Sequence, residues 1–311
     1  MTLVTGANGF VGGEIVRQLR DRGVPVRLAV RRAAGADEVG VGDIGPDTDW
    51  SAALVGVGRV IHCAARVHQM DDRAADPLEA FRGVNRDGTA ALARQAAAAG
   101  AKRLVFLSSI KVHGETTKDR GPFTADDVPD PQDPYGQSKW EAEQALRVIA
   151  AETGIEIVVI RPPLVYGPGV RANFARMMSW VARGRPLPLG LCRNQRSLVS
   201  VTNLASLAIA ASRHPAAAGA TLLASDGETV SVRDLLARIG TALGRPARLF
   251  PVPPALLRLA GSLTGQRAAI DRLCDPLVID GAPTRQLLGW NPPLTMAEAL
   301  AQMAPAPEPA A

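Results

Sequence analysis

Thr5-Gly6-Ala7-Asn8-Gly9-Phe10-Val11-Gly12 decides the fold of this chain. The apolar pair Leu3-Val4 stands just before it, and Ile15, Val16 and Leu19 recur at helical spacing just after it. A strand, a tight turn and a helix are expected in that order. Gly6, Gly9 and Gly12 allow the backbone to approach a pyrophosphate, which then rests on unpaired N–H groups at the helix N-terminus. Asn8, Phe10 and Val11 lie in the same turn and are expected to share that contact.

A second stretch, Pro134-Tyr135-Gly136-Gln137-Ser138-Lys139, carries the chemistry. Residues i and i+4 of a helix share a face, which puts the Lys139 ammonium beside the Tyr135 hydroxyl. A nearby cation stabilises a phenolate and lowers a pKa that starts near about 10. Tyr135 is thus expected to exchange a proton with a substrate alcohol or ketone.

Strand-like and helix-like segments alternate around these two stretches. Val24–Val30, Val39–Asp43, Arg59–Cys63, Arg103–Ser108 and Ile155–Ile160 read as buried strands, and Pro77–Ala99 and Tyr135–Thr153 as helices. The alternation predicts an α/β fold with a parallel sheet covered on both faces, of doubly wound Rossmann type. Ligands on such sheets bind past the carboxyl ends of the strands. Gly6–Gly12, Asp43, Ala64, Ala65, Ser108 and Ser109 all fall there. Beyond Arg161, prolines break the pattern into short elements. The division expected is a dinucleotide-binding unit over 1–165, an interleaved substrate lobe over 166–303, and a disordered tail over 304–311. Later helices are read near Val232–Leu243 and Thr295–Met303. Pro251–Leu263 is apolar enough to touch a membrane surface, but is expected instead to be a buried helix of the smaller lobe.

At 311 residues and 47% hydrophobic, the chain can bury one large core or two coupled ones. Its formal charge of +5 is spread rather than clustered, so no nucleic-acid footprint is read, although it favours anionic substrates. Cys63, Cys192 and Cys274 are odd in number and far apart, which points to a reducing, cytoplasmic setting. His62, His68, His113 and His214 lack metal-ligand spacing, so no metal is expected. No apolar run reaches the length of a membrane span.

Taken together, these motifs resemble the extended short-chain dehydrogenase/reductases, in the nucleotide-sugar epimerase/dehydratase/reductase group. The resemblance runs from Thr5 to about Met303. Its further pieces are Gly42-Asp43-Ile44, His62-Cys63-Ala64-Ala65, Val84-Asn85 with Gly88-Thr89, Ser108-Ser109, and Arg161-Pro162-Pro163-Leu164-Val165-Tyr166-Gly167. It implies that Ser109 hydrogen-bonds the substrate oxygen that Tyr135 protonates, with Ser108 beside it at the cofactor edge and mainly structural; a shift of one residue would exchange the two. Lys139 would also hold the nicotinamide ribose, Asp43 and Ile44 the adenine, and Pro162 and Val165 would border the nicotinamide. Asn85 would join the active-site hydrogen-bond network, or else cap a helix.

Two departures narrow the activity. Family dehydratases follow the catalytic hydroxyl with Asp-Glu; here Ile110-Lys111 follows, which argues against 4,6-dehydration. NAD-preferring relatives place an acid at the end of the second strand, where this chain has Arg31-Arg32. Guanidinium groups suit a 2′-phosphate, so NADP(H) is favoured, with NAD(H) as the alternative. In the smaller lobe Asn173, Phe174, Leu189 and Arg196 resemble contacts to a nucleoside diphosphate, with Arg267 or Arg272 as a second clamp. The reading favoured is an NADPH-dependent 4-keto reductase of a UDP-2-acetamido-4-keto-6-deoxyhexose, in polysaccharide biosynthesis. The alternatives are an NAD-dependent 4-epimerase of a UDP- or lipid-diphosphate-linked hexosamine, and a cofactor sensor without chemistry. The resemblance also implies a homodimer through the Pro77–Ala99 and Tyr135–Thr153 helices.

Overall fold

The computed structural model describes residues 1–67 and 76–304; His68 and positions 305–311 of the expected tail lie outside the described residues. In chain order the strands are β1 (Thr2–Thr5), β2 (Val26–Val30), β3 (Glu38–Gly40), β4 (Arg59–His62), β5 (Arg103–Leu107), β6 (Glu156–Arg161), β7 (Leu164–Tyr166), β8 (Gln195–Ser200), β9 (Thr221–Leu223) and β10 (Thr229–Ser231). The helices are α1 (Phe10–Asp21), α2 (Ser51–Leu54), α3 (Pro77–Arg82), α4 (Thr89–Ala98), α5 (Pro134–Thr153), α6 (Ala172–Ala182), α7 (Val201–Ala211), α8 (Val232–Ala242), α9 (Pro254–Leu263), α10 (Arg267–Cys274), α11 (Ala282–Leu288) and α12 (Met296–Ala301).

Seven strands form one parallel sheet in the order β3-β2-β1-β4-β5-β6-β9, the expected doubly wound arrangement. The strand order reverses between β1 and β4, so the crevice of this fold opens at the end of β1, where the glycine turn lies. Alternate residues of each strand supply opposite faces. Val4, Ile61, Val105 and Val158 pack with Ile15 and Leu19 of α1 and Leu204 and Ala208 of α7. Leu3, Val60, Leu104 and Val159 pack with Leu92 and Ala96 of α4 and Leu146 and Ile149 of α5. A smaller sheet, β10-β8-β7, covers a separate core that includes Tyr166, Phe174, Leu189, Leu236 and Met296.

Three elements differ from expectation. The Pro77–Ala99 helix is split: α3 runs into a wider π turn over Gly83–Gly88 before α4 begins. The third strand ends at Gly40, and Gly42 then turns the chain with φ +69°. Most consequential, α9 is not buried. Only Gly261 of its residues is, because Leu257 alone of its leucines packs on the small-lobe core while Leu256, Leu259 and Leu263 face outward.

Candidate active site

The glycine turn is held in place by close backbone approach. Gly6 has φ +63°, and a Cβ there would sit 2.8 Å from the Ala64 nitrogen; one at Gly12 would fall 2.2 Å from the Gly6 oxygen. Ala64 N–H donates to Thr5 Oγ1 at 3.2 Å, and Thr5 Oγ1 lies 2.6 Å from His62 Nδ1. On its other side His62 Nε2 is 2.9 Å from Thr89 Oγ1. Burial pushes the imidazole down to about 3, so it stays neutral and acts as a fixed strut between β1, β4 and α4. Gly9 caps α1 without a side-chain bond, which leaves first-turn N–H groups for an anion. A cleft of about 780 Å³ opens there, lined by Asn8, Gly9 and Phe10 together with Pro168, Gly169 and Arg171. A pyrophosphate fits such a cradle, because a side chain at Gly6 or Gly12 would displace its backbone.

α5 begins with Asp133 as N-cap, whose Oδ1 accepts from Gly136 N–H at 2.6 Å, and Pro134 follows at the first turn. From it project Tyr135, Lys139 and Glu143, four residues apart on one face. Lys139 is 2% exposed; its Nζ donates to Leu107 O at 2.8 Å and lies 4.4 Å over the Phe106 ring. Burial lowers it to about 7. The half-buried Tyr135 meets Phe81 edge-on at 6.0 Å. Burial, and then the Asp133 carboxylate, hold its phenol above the ordinary range. This corrects the expectation that Lys139 lowers it: the Lys139 cation is committed to the Leu107 carbonyl and the Phe106 face.

Ser109 follows β5 and opens a short turn, its Oγ accepting from Lys111 N–H at 3.2 Å. That turn presses against the start of α5: a Cβ at Gly136 would be 2.7 Å from Lys111 O. The Lys111 ammonium bonds Glu115 at 2.8 Å and also the Asp133 cap. Ser108 does not face the cofactor edge with a free hydroxyl. It donates to Glu143 Oε1 at 2.5 Å, and Glu143 is clasped by Arg161 at 3.0 and 2.6 Å. Asn85 is not a cap: from inside the π turn it accepts from Arg66 N–H at 2.8 Å, and donates to Arg66 O at 3.0 Å and to Ser138 Oγ at 2.9 Å. It thereby ties the segment after Ala64-Ala65 to α5.

The remaining expected contacts divide. Arg31 and Asp43 are both highly exposed and pair with each other at 2.7 Å; Arg32 is exposed beside them. Ile44 packs against the larger core, and Pro162 O accepts from Ile110 N–H at 2.9 Å, with Val165 half-buried in β7. Asn173 is exposed, but Phe174 and Leu189 are core residues, Phe174 stacking on Tyr166 at 5.3 Å. Their side chains are turned into that core, which leaves the backbone of these segments for any nucleotide contact. Arg196 Nη1 donates to the carbonyls of Arg272 and Asp275 at 2.7 and 2.9 Å, closing the end of α10, and Arg272 is exposed. The Glu143–Arg161 pair and the His62 strut were missed from sequence. Glu143 had a signal, since it continues the four-residue spacing of Tyr135 and Lys139. Among the described residues no cluster of three or more His, Cys, Asp or Glu could hold a metal ion, and no helix is long and apolar enough to cross a membrane.

The fold and this edge define an α/β enzyme class that works with a nicotinamide dinucleotide. Residues 2–223 match the NAD dependent epimerase/dehydratase family, and the chain belongs to that family. It is similar to the UDP-glucose 4-epimerase of Vibrio cholerae, 44% identical over 309 residues that cover 98% of this chain and 94% of the relative. Among solved structures it resembles MoeE5 in complex with UDP-glucuronic acid and NAD, with a TM-score of 0.76, 25% identity and 97% of each chain covered. The UDP-N-acetylglucosamine 4-epimerase from Bacillus cereus shares its fold, with a TM-score of 0.80, 18% identity and 97% of each chain covered.

Proposed function

We propose that this protein is a nucleotide-sugar 4-epimerase of the extended short-chain dehydrogenase/reductase type. The observation that carries the reading is 44% identity to the Vibrio cholerae UDP-glucose 4-epimerase over nearly the whole chain. Residues 1–165 hold the dinucleotide and 166–303 the sugar nucleotide, the latter lending α7 and β9 to the larger sheet. Gly6, Gly9 and Gly12 with Asn8, Phe10 and Val11 cradle the pyrophosphate. The bound dinucleotide supplies hydride acceptance and return at C4. Tyr135, when ionised to its phenolate, takes the proton of the C4 hydroxyl and as the phenol gives it back, and Ser109 hydrogen-bonds the same oxygen. Lys139 orients the ribose, while Asn85 and Lys111 keep the surrounding segments in register. The exposed Asn173 and the Arg196–Arg272 region face the diphosphate. The enzyme works in the cytoplasm as a homodimer built through α4 and α5.

A second reading, the 4-keto reductase favoured from sequence, is supported by Arg31 and Arg32 at the end of β2, since NADPH is the usual released reductant. One experiment separates the two. Purified protein is denatured and the released dinucleotide identified, and turnover is then followed with a UDP-hexose pair and with a UDP-4-keto sugar plus NADPH. Tightly held NAD⁺, with interconversion and no net dinucleotide consumption, is expected. An empty protein that oxidises NADPH stoichiometrically with the 4-keto sugar would replace epimerisation by reduction.

A further inference from the structure

Among the described residues, no intramolecular contact covers one apolar face of the smaller lobe. Leu256, Leu259 and Leu263 of α9 are 56%, 57% and 81% exposed. At 3.6 residues per turn they fall within about 60° of one another on the helix surface. Phe250, four residues before α9, is 44% exposed. Leu249 packs inward on the small-lobe core and bridges Leu187, so Arg248 and Phe250, on either side of it, point outward together. Leu191 extends the same strip, because Gly190 N–H donates to Phe250 O at 3.1 Å.

Charge identifies what covers this face. From Gly244 to Arg272 the chain has five arginines and one acid, Asp271. α9 contains no acidic residue at all. Arg258 turns to the other side, bonding Asp271 and Asp275 at 3.0 and 2.6 Å, and Arg267 also bonds Asp271 at 2.8 Å, which leaves Arg248 exposed next to Phe250 in sequence, Arg193 exposed two residues after Leu191 and Arg272 exposed on α10. A second copy of the chain is a poor occupant, since a two-fold contact would set this basic rim against itself. Four or five apolar side chains also fall well short of the roughly 800 Å² per partner of a stable interface. A surface that is apolar at its centre and anionic at its edge is a bilayer bearing acidic lipids.

We infer that α9, with Phe250 and its arginine rim, docks the smaller lobe on an anionic membrane surface. The leucines enter the headgroup boundary with α9 lying in the plane, and the arginines meet lipid phosphates. The docking is peripheral and salt-sensitive, and it stands apart from the C4 chemistry.

The test is flotation of the full chain with phosphatidylcholine vesicles, with and without phosphatidylglycerol, at low and high salt. The triple variant Leu256→Gln, Leu259→Gln, Leu263→Gln is run beside it, with dinucleotide binding as the check that it folds. The wild type is expected to float with phosphatidylglycerol vesicles at low salt and to be released at high salt. The triple variant should lose at least about tenfold in partitioning. Equal flotation of the two proteins, or none by either, overturns the inference. So does a wild-type dimer that the triple variant abolishes in sedimentation velocity without any vesicle binding, which would make the face a contact between copies.

Discussion

The two lobes handle charge in opposite ways. Along the edge of the seven-stranded sheet, Lys139, Glu143 and Arg161 are 2%, 0% and 2% exposed, and each is tied to a named partner. In the smaller lobe the interior is filled by Tyr166, Phe174, Leu189 and Cys192, while Arg183, Arg185, Arg193 and Arg248 lie outside. Buried charges that remain in a fold need geometry that holds them in one arrangement. The sheet edge therefore has little freedom, which suits proton transfer between fixed atoms. The smaller lobe can change its surface at low cost in stability, which suits recognition.

The sharpest way to break this contrast is at Tyr135. Tyr135→Phe removes one hydroxyl from a half-buried ring and leaves its edge-on contact with Phe81. Turnover is expected to fall by about 10²- to 10⁴-fold, the range of positioned acid–base groups, with little change in thermal unfolding. Turnover close to wild type in steady-state assays would remove Tyr135 from the chemistry.

Next in size is the buried pair beneath it. Arg161→Met leaves the Glu143 carboxylate buried with only the Ser108 hydroxyl and the long contact to Arg147 at 3.4 Å. The expected loss is about 3–5 kcal/mol in denaturant unfolding. By contrast, Arg193→Met on the smaller lobe should change stability by no more than about 0.5 kcal/mol. Similar losses from both would mean that the two lobes do not differ as argued.

The same contrast governs what could be read in the sequence. The glycine turn and the Tyr135–Lys139 spacing were legible because each is a local pattern within one or two turns of the chain, even though Ala64 and the Leu107 carbonyl that hold them are distant in sequence. Asp133 and Pro134 likewise announce the start of α5 locally. The π turn was not legible, since Asn85 is held by Arg66 and Ser138, which are distant in sequence. That the Phe174 and Leu189 side chains face the small-lobe core was not legible, because local sequence does not say which side of a segment faces a core. α9 failed in the opposite direction: its leucines look like core material, and only the packing of Leu257 and Gly261 shows which stripe is inside. Ser108 and Ser109 are adjacent, and that Ser108 bonds Glu143 from the middle of α5 was not legible from their local sequence.

Arg31 gives a smaller effect and tests how far recognition extends onto the sheet side. Arg31→Asp removes the guanidinium that pairs with Asp43 and puts a carboxylate at the end of β2. The ratio of NADP(H) to NAD(H) affinity is expected to fall by roughly 10- to 150-fold, the worth of a hydrogen bond to a charged group. Fluorescence titration with both cofactors measures it. An unchanged ratio would reduce Arg31 to a partner of Asp43.

The smallest effect is a slope. Burial pushes His62 down to about 3, and burial together with the Arg161 guanidinium pushes His113 down to about 4. His113 Nε2 faces Arg161 Nη1 at 2.6 Å and so must accept, leaving its proton on an Nδ1 that has no partner. In the unfolded chain both rings bind a proton near about pH 6.5. Below that pH the unfolded state takes up protons that the folded state refuses, so stability falls as pH drops from about 6.5 toward 4. Each histidine contributes on the order of 1.4 kcal/mol per pH unit in that window. His113→Gln should flatten the wild-type slope by about one such increment, read from denaturant midpoints across the range. Leu259→Gln on the smaller lobe should leave the slope unchanged, because Leu259 is an exposed apolar side chain far in sequence from both histidines. A parallel pair of curves for wild type and His113→Gln would show that the ring protonates freely in the folded protein, and the tight polar packing assigned to the sheet edge would then not hold at Arg161.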